Sequence, residues 1–521
     1  MSLGAILKIK TRIPSSDRSL MDTRFDMSVL KKNLAANFAG SVWITLMNLA
    51  FIPLYIKFMG VEAYGLIGIF TTIQGVSGIL DMGLSATMTR EMARLSAVAE
   101  KAQEMRNLLR SVEVIYWGVA FLIALVIITI SPFIAHHWIK AGQISPEKVE
   151  HALMLMGFAM ALQWPGALYS GSLIGLQSQI LLNVVNIVMN TLRGVGAILV
   201  LWLISPTIEV FFCWQILING TNTFVLALFI WRNLPQGDAV ASFQKQLLAG
   251  VWKFAAGMTA ISLVATILTQ MDKVILSKML TLEVFGYYTL AGVVATSLYR
   301  IIGPVFSAVY PRFIQLVTLG DEDGLVKLYH KSCQFLSVLI LPVTAVIAFF
   351  SYEIMYLWTR NPITAERSYL LVSLLIVGTA LNGLMNVPYA LQLANGWTKL
   401  SLVTNLIAIA LLVPMVIFMT SRYGAVGGAS VWILLNGSYV LISGHFMHRR
   451  LLQQEKWHWY RQDILFPLAA SLVVAGLGRV LMPNGMSEII LILFLVVVSV
   501  LTLFVTAIAT PTIRERLFSD H

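Results

Sequence analysis

Three charged residues lie inside otherwise apolar stretches of this chain: Asp81, Arg193 and Arg300. A charge at hydrocarbon depth costs roughly 2.5–3.5 kcal/mol even on lenient insertion scales, so such groups face a protein interior or a wet cavity. Arginine's planar fork donates two parallel charge-assisted hydrogen bonds, which suits phosphate. Asn, Gln and Tyr supply the donors and acceptors that suit sugar hydroxyls. Asp272 and Lys273 stand near one end of an apolar run, and Arg90 and Arg312 at the mouths of two others.

The neighbours of these residues fall in helical register. Asn183, Asn186, Asn190 and Arg193 follow at steps of 3, 4 and 3, which puts all four on one helix face. Gln74, Gly78, Asp81 and Ser85 make a second stripe, Gln215, Asn219 and Asn222 a third, Thr296, Arg300, Gly303 and Ser307 a fourth, and Asn382, Asn386 and Tyr389 a fifth. A single Asn of this kind can equally be interhelical glue, worth about 0.6 kcal/mol on average. The five stripes together point to a lined cavity. For the two arginines, a buried pair with a carboxylate such as Asp81 and a substrate contact both remain open. No HExxH, P-loop, GxGxxG after a strand or Cys/His cluster occurs, so no catalytic residue, cofactor or metal site is expected, and the chain does not read as an enzyme. His136 and His137, and His445 and His448, read as interfacial residues. Cys213 and Cys333 read as apolar packing residues.

The elements that must carry these side chains are membrane helices. Apolar residues make up 58% of the 521, charged residues only 12%, and mean hydropathy is +0.80, whereas soluble domains carry roughly 25% charged residues. About 20 mainly apolar residues cross the hydrocarbon. Fourteen such runs begin near Asn33, Tyr64, Val112, His151, Ile180, Glu209, Trp252, Val284, Cys333, Ser368, Leu400, Gly424, Ile464 and Ser487. The loops between them are too short for a soluble catalytic domain, which argues against a polysaccharide polymerase. The net charge of +11 does not indicate nucleic acid, because its distribution follows the loops. Of the 36 Lys and Arg, 25 fall in loops on one side and 9 on the other. By the positive-inside rule both termini are cytoplasmic. Residues 1–32 are mixed and basic with no signal-peptide core, so the first run would serve as its own insertion signal, with Met1, Met21 or Met27 as possible starts.

The chain also repeats itself. KFMGVEAYG at 57–65 is answered by KMLTLEVFG at 278–286, an offset of 221, and Arg110-Ser111 by Lys331-Ser332. With small drifts Asn186 meets Asn405, Trp214 meets Trp432, and Asn219-Gly220-Thr221 meets Asn436-Gly437-Ser438. That last pair is no glycosylation site, since both copies lie deep in apolar runs. The expected organisation is an all-α polytopic membrane protein of about fourteen helices. It comprises an N-terminal tail (1–32), a six-helix bundle (33–231), a linker (232–251), a second six-helix bundle (252–448), a loop (449–463), two further helices (464–510) and a C-terminal tail (511–521). Units of equal orientation are related by an axis along the membrane normal, and duplicated transporters place the substrate path at that interface.

In NFAGSVWITLMNLAFIPLYIKFMG, GVEAYGLIGIFTTIQG, ILDMGLSATMTREMAR, DKVILSKM and EVFGYYTLA the chain resembles the polysaccharide transporter or O-antigen flippase (Wzx-type) family of the MATE-like (MOP) superfamily. The resemblance implies two pseudo-symmetric bundles and alternating access that carries a polyprenyl-diphosphate-linked oligosaccharide across a bacterial inner membrane. It further implies coupling to an ion gradient and work alongside polymerase and chain-length proteins. Asp81, Gly83 and Arg90, and Asp272, Lys273, Gly286 and Tyr288, mark the family. With only two arginines near mid-membrane, the diphosphate is expected at Arg193 and Arg300 or at the mouths, by Arg90 and Arg312, leaving Asn183, Asn186, Asn190, Asn219, Asn382 and Asn386 for sugars. Asp81 and Asp272 are the candidate coupling-ion residues. A drug or metabolite antiporter and a peptidoglycan-precursor flippase are the rivals within the fold; basic cavity residues argue against cationic drugs.

Overall fold

In lipid every backbone polar group must be satisfied within the protein, so apolar runs of this length fold as helices. The computed structural model describes residues 27–81, 83–96, 99–511 and 514; most of both predicted tails, with Met1 and Met21, lies outside the described residues. The described residues form helices and the loops between them, and the one β-type contact among them is an isolated bridge between Lys140 and Thr281.

In chain order the helices are α1 (Met27–Ser77), α2 (Leu84–Ser96), α3 (Ala102–Phe133), α4 (Pro146–Gln163), α5 (Gly166–Gly175), α6 (Gln179–Leu203) and α7 (Ile208–Asn233). The second half continues with α8 (Lys245–Met279), α9 (Leu282–Thr296), α10 (Tyr299–Leu319), α11 (Glu322–Phe349), α12 (Ser351–Thr359), α13 (Pro362–Leu384), α14 (Asn386–Ala394), α15 (Lys399–Ser438) and α16 (Gly444–Leu451). The short α17 (Lys456–His458) leads through a π-helical segment, Trp459–Leu465, into α18 (Phe466–Val480) and then α19 (Glu488–Ala509). Starts are marked by side-chain caps: Thr207 accepts from the Val210 N–H, Thr281 from Val284, Asp321 from Gly324 and Asn361 from Thr364.

Among the described residues eleven continuous stretches are long and apolar enough to cross a membrane. The fourteen runs read from sequence therefore do not map one to one. Gly40–Asp81 spans 42 residues and Lys399–Leu451 spans 53, each broken by a glycine at positive φ, Gly60 (+84°) and Gly424 (+60°). These are kinks that an L side chain would resist. No loop separates the runs at Asn33 and Tyr64, nor those at Leu400 and Gly424. Several helices also begin earlier than their apolar runs, because a polar first turn at the membrane surface is helical without being hydrophobic; α3 and α11 are examples. The short α12 has no counterpart among the predicted runs.

The repeat appears as reciprocal packing. A Cβ on Gly65 would stand 2.4 Å from the carbonyl oxygen of Leu282, and one on Gly286 would stand 2.5 Å from that of Val61. Gly65 and Gly286, like Val61 and Leu282, are exact mates at offset 221. Each glycine thus lets one half's backbone approach the other half's in the same way. The seam continues at Gly68 against Thr289 and at Gly75 against Gln270. At the same end, Leu282 N–H donates to Lys140 O (2.9 Å), Trp138 Nε1 donates to Ser277 Oγ (3.1 Å), and the Glu62 carboxylate accepts from the backbone N–H groups of Gly142 and Gln143.

At the basic end the linker is strapped to α3. Gln103, Asn107 and Ser111 accept from the backbone N–H groups of Ala239, Ser242 and Gln244 at 3.0, 3.0 and 2.7 Å. The cores divide likewise, with Met88, Met92, Leu108, Leu109 and Ile230 forming a cluster within the first half. Phe350, Ala475, Leu495 and Val498 fasten α18 and α19 to α11. Ion pairs Arg479–Glu353 and Arg360–Glu488 tie the same two helices to α12 and its C-terminal end. Elsewhere large apolar side chains such as Phe121, Trp202, Leu203, Phe224 and Ile489 face outward, as a lipid-facing surface requires.

Candidate functional site

A cavity of about 660 Å³ is built from α1, α4, α6 and α7 of the first half together with α9 and α10 of the second. Arg193 and Arg300 both line it, one from each half. Among the described residues neither is paired with a carboxylate. Arg193 donates from Nη2 to Asn219 Oδ1 (2.9 Å) and from Nη1 to Asn190 Oδ1 (3.4 Å), while its buried Nε finds no acceptor. Its carbonyl accepts from Trp214 Nε1 at 3.2 Å, which fixes this turn of α6 against α7. Asn219 is held in turn, donating to Ala159 O (3.1 Å) and to Gln163 Oε1 (3.4 Å), and Gln74 donates to Gln163 at 2.6 Å. Arg300 is exposed within the cavity. The result is a relay of amides behind one guanidinium, with a second guanidinium facing open space.

A second cavity of about 330 Å³ lies wholly in the second half and carries no charge. Tyr299 donates to Asn382 Oδ1 (3.1 Å), Asn382 donates to Asn436 Oδ1 (2.8 Å), and Asn436 donates to Trp432 O (2.8 Å). Asn386, Asn405 and Tyr439 line the same space, with Tyr439 donating to Asn405 at 2.9 Å. A third cavity, about 250 Å³, holds Asp272, Lys273 and Tyr288. Tyr288 donates to Asp272 Oδ2 at 2.9 Å, while Asp272 Oδ1 is buried without a partner. Tyr299 lines all three cavities and so stands where they meet.

The remaining sequence-derived candidates are placed elsewhere. Asp81 lines none of these cavities; Tyr116 OH donates to its Oδ1 and Ser85 Oγ to its Oδ2 (2.8 Å). That cage also removes Asp81 as the ion-pair partner of either arginine. Arg90 and Arg312 are exposed and line none of the three spaces, and Arg312 donates to Gln315 Oε1 at 2.7 Å. Of the α6 stripe, Asn190 reaches the first cavity, whereas Asn183 donates to Gln179 O (2.8 Å) and Asn186 is half-buried outside it. His448, read as interfacial, is buried between Tyr329 OH (3.0 Å) and Gly444 O (2.8 Å). Gln163 and Tyr299 were not singled out by sequence, since neither falls in one of the five stripes. Asn436 could have been found as the repeat mate of Asn219.

Three comparisons bear on what this arrangement does. Residues 30–317 match the family model described as polysaccharide biosynthesis protein. A Shigella flexneri protein assigned as an O-antigen transporter is 23% identical over 419 residues, covering 78% of this chain and 94% of its own length. Among solved structures, the lipid II flippase MurJ in an inward closed conformation is similar at TM-score 0.64 and 14% identity, covering 94% of this chain and 99% of its own. An inward-facing multidrug resistance MATE family transporter of the MOP superfamily is similar at TM-score 0.63 and 14% identity, covering 78% and 94%. The fold is therefore that of the MurJ and MATE transporters.

Proposed function

This chain belongs to the polysaccharide biosynthesis protein family, and on that premise we propose that it is a flippase moving a polyprenyl-diphosphate-linked oligosaccharide across the inner membrane by alternating access. The observation that carries this reading is that Arg193 and Arg300, one from each half, share a cavity without a carboxylate between them. Two buried or confined cations with unspent donors attract an anion of high charge, and a diphosphate matches both the charge and the bidentate geometry. The neutral Asn and Tyr surfaces of the adjoining cavity suit the glycan. Tyr299 sits between the two surfaces, where the linkage from phosphate to sugar would pass.

The two halves are closed against each other along Gly65, Gly68 and Gly75, away from the basic loops. With the basic loops cytoplasmic by the positive-inside rule, the cavity loads from the cytoplasmic leaflet and empties after that seam parts. Asp272 is the stronger coupling-ion residue of the two carboxylates, because its unpartnered Oδ1 adjoins a cavity that meets the others at Tyr299, whereas both oxygens of Asp81 are engaged. The reading is transport without catalysis. Association with a polymerase and chain-length proteins belongs to the same reading.

The test is reconstitution into liposomes with a labelled polyprenyl-diphosphate oligosaccharide. Label crossing that requires the protein supports the reading. No crossing with or without an ion gradient, while a small cationic drug does cross, overturns it in favour of an antiporter.

A further inference from the structure

At the basic end of the second half, outside the three cavities, three side chains with metal-ligand chemistry converge. His330 Nε2, a Glu455 carboxylate oxygen and a ring nitrogen of His458 all lie within 4.8 Å of one another. His330 Nε2 and Glu455 Oε2 are 3.0 Å apart, and the rings of His330 and His458 stand 4.1 Å apart between centroids. Two ligands at about 2.0–2.1 Å from a tetrahedral zinc are separated by roughly 3.3 Å, so modest side-chain rotation brings the three onto one ion.

The local chain is built for this convergence. Gln454 takes a left-handed backbone conformation (φ +78°) that non-glycine residues seldom adopt without a reason. It turns the chain so that Glu455 and His458, three apart on the α17 turn, share a face. The π-helical segment Trp459–Leu465 follows directly, a geometry found mostly as single turns at functional sites. It aims Asp463 inward, where its Oδ2 stands 2.6 Å from His330 Nδ1 and its Oδ1 accepts from Gln334 Nε2 at 2.8 Å. Asp463 is fully buried. A carboxylate on Nδ1 that is itself hydrogen-bonded is the outer partner that orients a metal-bound imidazole and raises its basicity.

Both nitrogens of His330 face carboxylate oxygens, and two arrangements satisfy that. Either the ring is a doubly protonated clamp, or Nε2 and Glu455 share a cation. The second arrangement also accounts for His458, whose ring nitrogen lies within 4.8 Å of the other two ligand atoms. Asp463 and Glu455 together also balance a dication. Lys456, the nearest cation on the loop, is turned to His445 Nδ1 at 2.8 Å. Glu455 and His458 are half-buried, and Glu455 also lines a cavity of about 480 Å³ with Asp321, Glu322 and Arg450, which provides an entry path.

We propose that His330, Glu455 and His458 bind one divalent metal ion of the zinc class, with Asp463 and Gln334 as supporting partners and a fourth position open to water. The ion would latch the segment before the last two helices onto α11. The proposal is independent of the transport reading, since none of these residues lines the three cavities.

The experiment uses the full chain in detergent, stripped with a chelator, dialysed and reloaded with Zn²⁺ or Co²⁺. About one ion per chain by mass spectrometry is expected, with visible Co²⁺ bands of four-coordinate intensity and a rise in melting temperature on loading. His458→Ala and Glu455→Gln, both at half-exposed positions, should match the metal-free melting of the unsubstituted protein and lose the ion and the rise. Asp463→Asn should weaken binding by roughly 10–100-fold. Uptake no greater in the unsubstituted protein than in His458→Ala, or no uptake at all, overturns the proposal and leaves a protonated His330 clamp. Should the substituted chains fail to fold, the stoichiometry and Co²⁺ spectrum of the unsubstituted protein decide by themselves.

Discussion

The cavity shared by the two halves and the cavity within the second half are lined by repeat-related residues of a duplicated chain, yet one is charged and the other is not. Asn219 and Asn436 are repeat mates and both accept a hydrogen bond at Oδ1, but from different donors. In the first half the donor is the guanidinium of Arg193 at 2.9 Å; in the second it is the neutral amide of Asn382 at 2.8 Å. The repeat equivalents of Arg193 fall on Leu411 and Leu412 of α15, of which Leu412 is buried in the core. Trp214 and Trp432, also mates, both donate from the indole, one to the Arg193 carbonyl and the other to Thr379 Oγ1. The scaffold around the two sites has been kept, and the charge lines one cavity only. Duplication supplies a frame that can rock about an axis; asymmetry within it separates a phosphate-reading surface from a sugar-reading one.

The comparison breaks most directly at the arginines. A hydrogen bond to a charged group is worth about 1.5–3 kcal/mol, so losing one from each of Arg193→Ala and Arg300→Ala predicts about 3 kcal/mol or more. That is on the order of 100-fold in apparent affinity for the lipid-linked substrate. Flipping in liposomes at matched protein level measures it, and an unchanged rate in the double variant removes both arginines from the site. Arg→Lys at both positions should recover only part, because the ammonium cannot fork.

The seam between the halves sharpens the same comparison from the symmetric side. Gly65→Val and Gly286→Val each drive a side chain into a repeat-related carbonyl, at 2.4 and 2.5 Å for the first carbon alone. Overpacking of this kind costs about 1–3 kcal/mol, and the two variants should cost the same. A cysteine at Thr289, in a chain whose Cys213 and Cys333 are replaced, should gain reactivity toward an impermeant maleimide equally in both. Unequal gains would show that the frame as well as its lining has diverged. Asp272→Asn comes next: flipping should persist at its ungradiented rate while stimulation by an ion gradient disappears. Retained stimulation would return the coupling role to another group.

What sequence made legible here was register. Steps of 3 and 4 place Asn190 and Arg193 on one face, and both line the cavity; the long apolar runs mark nearly all the helices. Depth along a helix was not legible. Asn183 and Asn186 share the stripe but do not line the cavity; Asn183 packs against Gly40 near the start of the first span, a tertiary fact that spacing does not carry. Asp81 looked like a partner for an arginine until Tyr116, 35 residues away, proved to hold it. Glycine hinges hid two helix junctions from a hydropathy reading, since a kinked helix and a tight loop have the same composition. The His330, Glu455 and His458 cluster was invisible because Glu455 and His458 stand three apart with no third ligand nearby in sequence, and His330 lies 125 residues before Glu455.

The smallest effect is the most discriminating. Asn436→Ala removes the acceptor for Asn382 Nδ2, but Asn382 borders the second cavity and can turn its amide to water or to a sugar hydroxyl. The net loss for a neutral hydrogen bond is about 0.5–1.5 kcal/mol, a few-fold change in rate. Asn219→Ala, its mate, strips a partner from Arg193 and should slow every diphosphate-linked substrate by a similar factor. Flipping rates for two oligosaccharides on the same lipid diphosphate separate the cases: Asn436→Ala should alter their ratio, and Asn219→Ala should lower both while keeping it. If both variants preserve the ratio, the second cavity does not read the glycan, and its neutral chain of Tyr299, Asn382 and Asn436 serves only to hold α13 against α15.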